Sequence, residues 1–73
     1  MSSISDSPII KLLGANVRRL RAEHQLTQKE LAELCNVDVM TISRIERDLQ
    51  NTTVILLASL AQHLGVTPDA LIK

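Results

Sequence analysis

The sequence predicts an all-α chain of five helices, and three observations lead there. Apolar residues return at helical spacing in four separate stretches, and nowhere alternate with polar ones as a half-buried strand requires. Those stretches open near a Ser, Thr or Asp able to cap a helix and close on Asn, Gly or a polar break. Phe, Tyr and Trp are absent although apolar residues make up 45% of the chain, so the core must be aliphatic, which suits packed helices.

Pro8 fits the first turn of the first helix, with Ser7 as its cap. Ile10, Leu13, Val17 and Leu20 then share one face as far as about His24, leaving Arg18, Arg19 and Glu23 on the wet side. Gly14, inside that helix, reads as a point of close approach to a neighbouring helix. Thr27 followed by Glu30 forms a capping box for a short second helix from Gln28, whose inner face carries Leu31, Leu34 and Cys35. Asn36 tolerates left-handed backbone and ends it; after Val37, Asp38 caps a third helix. A turn of about three residues forces the second and third helices to cross steeply, as in a helix-turn-helix unit.

Wound at about 100° per residue, the third helix separates Ile42, Ile45 and Leu49 on a core side from Met40, Ser43, Arg44 and Arg47 opposite. After the polar stretch Asp48 to Asn51, Thr52 or Thr53 caps a fourth helix with Val54, Leu57, Leu60, Ala61 and Leu64 as its core stripe and Gly65 at its end. Thr67 and Pro68 restart the chain as cap and first-turn proline, and Ala70, Leu71 and Ile72 complete a last short helix.

Seventy-three residues allow one domain, because a chain this short buries only about 60% of its unfolded surface. Residues 1–7, small and polar apart from Ile4, are expected to form a flexible tail, and residues 8–73 a single domain with no separate effector unit. No apolar run of ~18 residues and no signal-peptide layout are present, so a cytoplasmic protein is expected, with no membrane partner. Cys35 is the only cysteine, which excludes an internal disulfide; with His24 and His63 on different helices, no metal site is expected. Cys35 itself reads as core. No nucleophile–base–orienter set and no phosphate-cradling glycine loop occur, so neither an enzyme nor a cofactor or small-molecule ligand is expected.

Eight basic and eight acidic residues cancel, which argues against a nucleic-acid partner until their distribution is examined. Between Lys11 and Arg47 seven Lys and Arg face five acids, a slight basic excess. More specific is the outward side of the third helix. Arg44 can bond guanine O6 and N7 bidentately, Ser43 can serve either base, and Val39 or Met40 can press on a thymine methyl, with Thr41 at the flank. A major groove about 12 Å wide admits one such helix. Gln28 and Lys29, at the start of the second helix, suit phosphate contacts that position without specifying sequence, and Arg47 extends that role.

Thr27-Gln28, Leu31-Ala32, Asn36-Val37, Thr41-Ile42-Ser43 and Ile45-Glu46 stand at fixed mutual spacings, and with them residues 13–72 resemble the lambda-repressor-like (Cro/CI, XRE) family. The resemblance implies a compact five-helix bundle with the helix-turn-helix at helices 2 and 3, and regulators of the phage-repressor or restriction–modification controller kind that bind a palindromic double-stranded operator as homodimers. It also implies a structural ion pair between Arg21 and Glu46, in keeping with Glu46 on the inner edge of its helix. Two departures stand out. Asp48-Leu49-Gln50-Asn51-Thr52 replaces the family's basic loop, leaving Gln50, Asn51 or backbone N–H groups to meet the phosphates, and Gln25 stands where glycine is common, implying a slightly different turn.

Ile55 and Leu56 flank the stripe of the fourth helix and, with Leu71 and Ile72, are expected to form an exposed apolar patch that a symmetric dimer would bury. The alternative reading is a protein-binding module, an antitoxin or anti-repressor, in which Val39, Met40 and Ile55 meet a partner protein.

Overall fold

The computed structural model describes residues 7–73, so the tail expected over residues 1–7 lies outside the described residues apart from Ser7. Four α-helices follow one another: α1 (Pro8–Glu23), α2 (Gln28–Leu34), α3 (Val39–Glu46) and α4 (Val54–Leu64), then a 3₁₀ segment, Pro68–Ile72. No strand occurs among the described residues.

Each start is fixed by a side chain that accepts a free backbone N–H of the first turn. Ser7 Oγ accepts from Ile10 at 3.4 Å, Asp38 Oδ1 from Thr41 at 2.9 Å and Thr53 Oγ1 from Leu56 at 3.0 Å. At α2 the capping box closes in both directions, Glu30 N–H to Thr27 Oγ1 at 3.0 Å and Thr27 N–H to Glu30 Oε1 at 2.9 Å.

The ends share one device. Gln25, Asn36, Asp48 and Gly65 follow the four helices with φ of 57°, 57°, 63° and 73°. In each case the next residue donates back across the turn: Leu26 to Arg21 O, Val37 to Ala32 O, Leu49 to Arg44 O and Val66 to Ala61 O, at 2.9–3.1 Å. This is the Schellman arrangement, with an apolar residue just beyond the left-handed one. Gln25 therefore takes the left-handed conformation that glycine adopts most readily, and the different turn expected from its side chain does not arise.

The device also corrects the reading of α3. That helix ends at Glu46, so Leu49 lies past the left-handed Asp48, off the helical phase, and is 51% exposed. Leu26, Val37 and Val66, in the matching place elsewhere, pack on the core; Leu49 does not.

Leu13, Val17 and Leu20 of α1, Leu31, Ala32 and Cys35 at α2, Ile42 and Ile45 of α3, and Leu60, Ala61 and Leu64 of α4 form one aliphatic core. The stripe of α4 is centred on Leu56, Leu60 and Leu64 rather than beginning at Val54, which sits about 120° from its centre at the first helical position and is 82% exposed. Leu56 is buried in the core, as is Leu71, while Ile72 is half-buried against it. Of the four residues expected in an exposed patch, only Ile55 is exposed, at 84%. The reason is tertiary: the 3₁₀ segment folds back over α1 and α4 and takes Leu71 inside.

The fifth element is a 3₁₀ helix instead of an α-helix, so the described residues form four α-helices, not five. Five residues beginning with a proline leave little room for i→i−4 bonds, and the turn closes through Ala70 N–H to Thr67 O at 3.0 Å. Thr67 stands at the cap position without a side-chain capping bond. The segment is held by Asn16, whose Nδ2 donates to Leu71 O at 2.9 Å and reaches Ala70 O and Lys73 O at 3.4 and 3.3 Å.

Candidate nucleic-acid interface

α3 is pinned from behind by Ile42 and Ile45, both fully buried, and it packs on α1 and α2 at once. Gly14 makes the α1 contact possible. A Cβ there would fall on Asp48 Oδ1 and 2.6 Å from the Ile45 carbonyl oxygen, so the absence of a side chain lets the backbones meet.

The end of α3 is tied down by charge. Glu46 is 3% exposed, and its carboxylate receives Arg21 in a fork: Nε to Oε2 at 2.6 Å and Nη2 to Oε1 at 3.0 Å. The hydrogen bond to Glu46 holds the Arg21 guanidinium above its ordinary range, against the opposing effect of partial burial. Arg21 Nη1 also donates to Leu26 O at 2.8 Å, and Gln28 Nε2 donates to Glu46 Oε1 at 3.1 Å. The ion pair expected between Arg21 and Glu46 is therefore present, with Gln28 as a third member that its spacing did not reveal.

What remains outward is the surface singled out on α3. Val39 and Met40 are 41% and 47% exposed, Arg44 and Arg47 are exposed, and Thr41 and Ser43 are half-buried. Residues 40, 43, 44 and 47 follow the i, i+3, i+4, i+7 rule of one helical face. Thr41 donates its hydroxyl proton to Asp38 Oδ1 at 3.0 Å, which orients the side chain. Asp38 is held below the usual carboxylate range, chiefly by the Thr41 backbone N–H, with Arg44 adding a smaller attraction. Arg47 Nε leans on Ser43 O at 3.4 Å, a weak tether that leaves the guanidinium otherwise free in the described residues. Lys29 is exposed, Gln50 is half-buried, and Asn51 is exposed with Oδ1 accepting the Thr52 N–H at 2.8 Å.

Three further contacts escaped the sequence. Arg18 Nη1 donates to Glu46 O at 3.1 Å and caps α3 from α1. Asn16 clamps the C-terminal turn, and His24 Nε2 meets Leu64 O at 2.8 Å, joining the ends of α1 and α4. The exposed position of Arg18 on the helical wheel hid a guanidinium long enough to reach sideways. Cys35 is buried, with Sγ 4.0 Å from His63 Nδ1, and His63 Nδ1 lies 2.9 Å from Ser59 O. Among the described residues no group of three or more His, Cys, Asp or Glu is placed to hold a metal ion, and no helix is long and apolar enough to cross a membrane.

Residues 17–71 match the sequence pattern of the helix-turn-helix family. The chain is 46% identical over 57 residues to an uncharacterized HTH-type transcriptional regulator, y4dJ, of Sinorhizobium fredii, covering 78% of this chain and 74% of that protein. It is 33% identical over 60 residues to the immunity repressor protein of Bacillus phage phi105, covering 82% of this chain but 42% of the repressor. Among solved structures, the restriction–modification controller protein C.AhdI from Aeromonas hydrophila superposes with a TM-score of 0.80 at 29% identity, over 85% of this chain and 94% of that one.

Proposed function

Because the chain belongs to the helix-turn-helix family, we propose that it is a transcription regulator that binds duplex DNA with the outward face of α3 in the major groove. The observation that carries this reading is the division of α3: Ile42, Ile45 and Glu46 are locked inside while Val39, Met40 and Arg44 stand clear of the protein's own packing. In the proposal Arg44 reads a guanine, Ser43 and Thr41 add polar contacts, and Val39 and Met40 cover thymine methyl groups. Gln28, Lys29, Arg47, Gln50 and Asn51 meet phosphates and set register. The operator is palindromic and bound by a homodimer, with Ile55 and its neighbour Val54 as the exposed apolar pair available to a second copy.

Zero net charge and the apolar Val39 and Met40 favour a second reading, a protein-binding module using the same face. A salt titration separates the two. Contact with phosphates through Lys and Arg makes log affinity for duplex DNA fall linearly with log salt, by about 0.9 per phosphate neutralised, whereas an apolar protein interface is far less sensitive. Arg44→Ala, measured in the same titration against a panel of single-base operator variants, is expected to lose about 1–3 kcal/mol at one base position and to become indifferent there. Unchanged affinity and selectivity would remove Arg44 from the reading.

A further inference from the structure

We propose that Glu46 is a positioning residue for DNA binding: from the end of α3 it holds the Gln28 amide in the place where that side chain meets the sugar–phosphate backbone. The proposal rests on the DNA-binding reading of α3.

Glu46 lies behind the reading face and touches no ligand itself, being 3% exposed. Its charge is answered by the two-point contact with Arg21, at 2.6 and 3.0 Å. The bond from Gln28 Nε2, at 3.1 Å, occupies a further lone pair of Oε1, and the same bond fixes the end of the glutamine side chain. Gln28 is half-buried at the first position of α2, and its amide makes no other hydrogen bond among the described residues. One N–H is spent inward; the second N–H and the carboxamide oxygen remain for a partner outside. Meanwhile Arg21 Nη1 holds Leu26 O at 2.8 Å and Arg18 Nη1 holds Glu46 O at 3.1 Å. The start of α2 and the end of α3 are thus registered on one carboxylate. A long side chain fixed before binding loses less freedom on contact, which strengthens binding by about threefold to tenfold without changing sequence preference.

The test is a double-mutant cycle in DNA affinity on the full chain, using a duplex recovered from a randomised pool and an unrelated duplex of equal length. Q28M keeps the bulk of the side chain and removes the amide; E46M keeps the length and removes both acceptor oxygens. All four proteins are compared at a temperature where circular dichroism shows them folded. Q28M is expected to weaken binding to both duplexes by a similar factor of about three to ten with little change in melting temperature, and to have no further effect in the E46M background. Effects that multiply, or a Q28M protein with a lowered melting temperature and full affinity, would overturn the proposal and leave a structural role only. Should E46M fail to fold, 15N relaxation of the Gln28 side-chain amide in the free wild-type protein decides: an amide as ordered as the backbone supports positioning, and a freely mobile one contradicts it. A wild-type protein that binds neither duplex would instead remove the DNA-binding reading itself.

Discussion

Gly14→Ala is expected to destabilise the protein by about 2 kcal/mol, a fall in melting temperature of roughly 10 °C for a domain of this size. Two effects oppose each other. In an open helix interior, alanine is about 1 kcal/mol better than glycine. Here the added methyl would stand 2.6 Å from the Ile45 carbonyl oxygen and on the Asp48 carboxylate. The carboxylate could swing aside; the carbonyl belongs to the last turn of α3 and cannot move without shifting the helix. Relief of that overlap, about 3 kcal/mol, outweighs the gain in propensity. α3 is the element displaced, so DNA affinity is expected to fall as well. A thermal melt that shows Gly14→Ala more stable than wild type would mean that α1 and α3 are not in close backbone contact.

Glu46→Ala is expected to be more damaging, about 3 kcal/mol, because it leaves the Arg21 guanidinium, whose side chain is 19% exposed, and the Gln28 amide without their acceptor. A domain of this length has on the order of 4–10 kcal/mol in all, so the variant is expected to melt far below wild type. Arg47→Ala, one residue on, removes an exposed side chain with a single weak tether and should stay within about 0.5 kcal/mol. The pair's net contribution is a separate question, since removing both charged partners together often costs much less than removing one. Equal melting points for Glu46→Ala and Arg47→Ala would contradict the account of the buried ion pair.

The parts of this fold legible in the sequence are those governed by local chemistry. Ser7, Thr27, Asp38 and Thr53 reach backbone N–H groups three residues on, so a short window contains both partners. The stripe of α1 was equally clear because its helix is long enough for the period to show. What failed was burial set from a distance. Leu49 follows α3 by phase, but the left-handed Asp48 breaks that phase first, and no glycine marks the spot. Leu56 and Leu71 looked surplus to a small core until the 3₁₀ segment folded over α1 and α4. Asn16 is bound to carbonyls 54 to 57 positions away, a relation invisible to any periodicity. The outward face of α3 was legible because α3 is short and two of its inner residues are unmistakably apolar, which leaves Met40, Ser43, Arg44 and Arg47 no side but the outer one. Whether that face meets DNA was not contained in the helical phase; the expectation came from the chemistry of its side chains and from resemblance.

Repeated selection of bound duplexes from a pool of random sequence tests that expectation most directly. The pool is expected to converge on a two-fold symmetric motif with half-sites about 34 Å apart, one turn of the double helix. Its guanine preference at one position should vanish when the selection is repeated with Arg44→Ala. A pool that stays random after rounds of enrichment, or a motif unchanged by that substitution, would contradict the assignment of the outward face of α3 to the major groove.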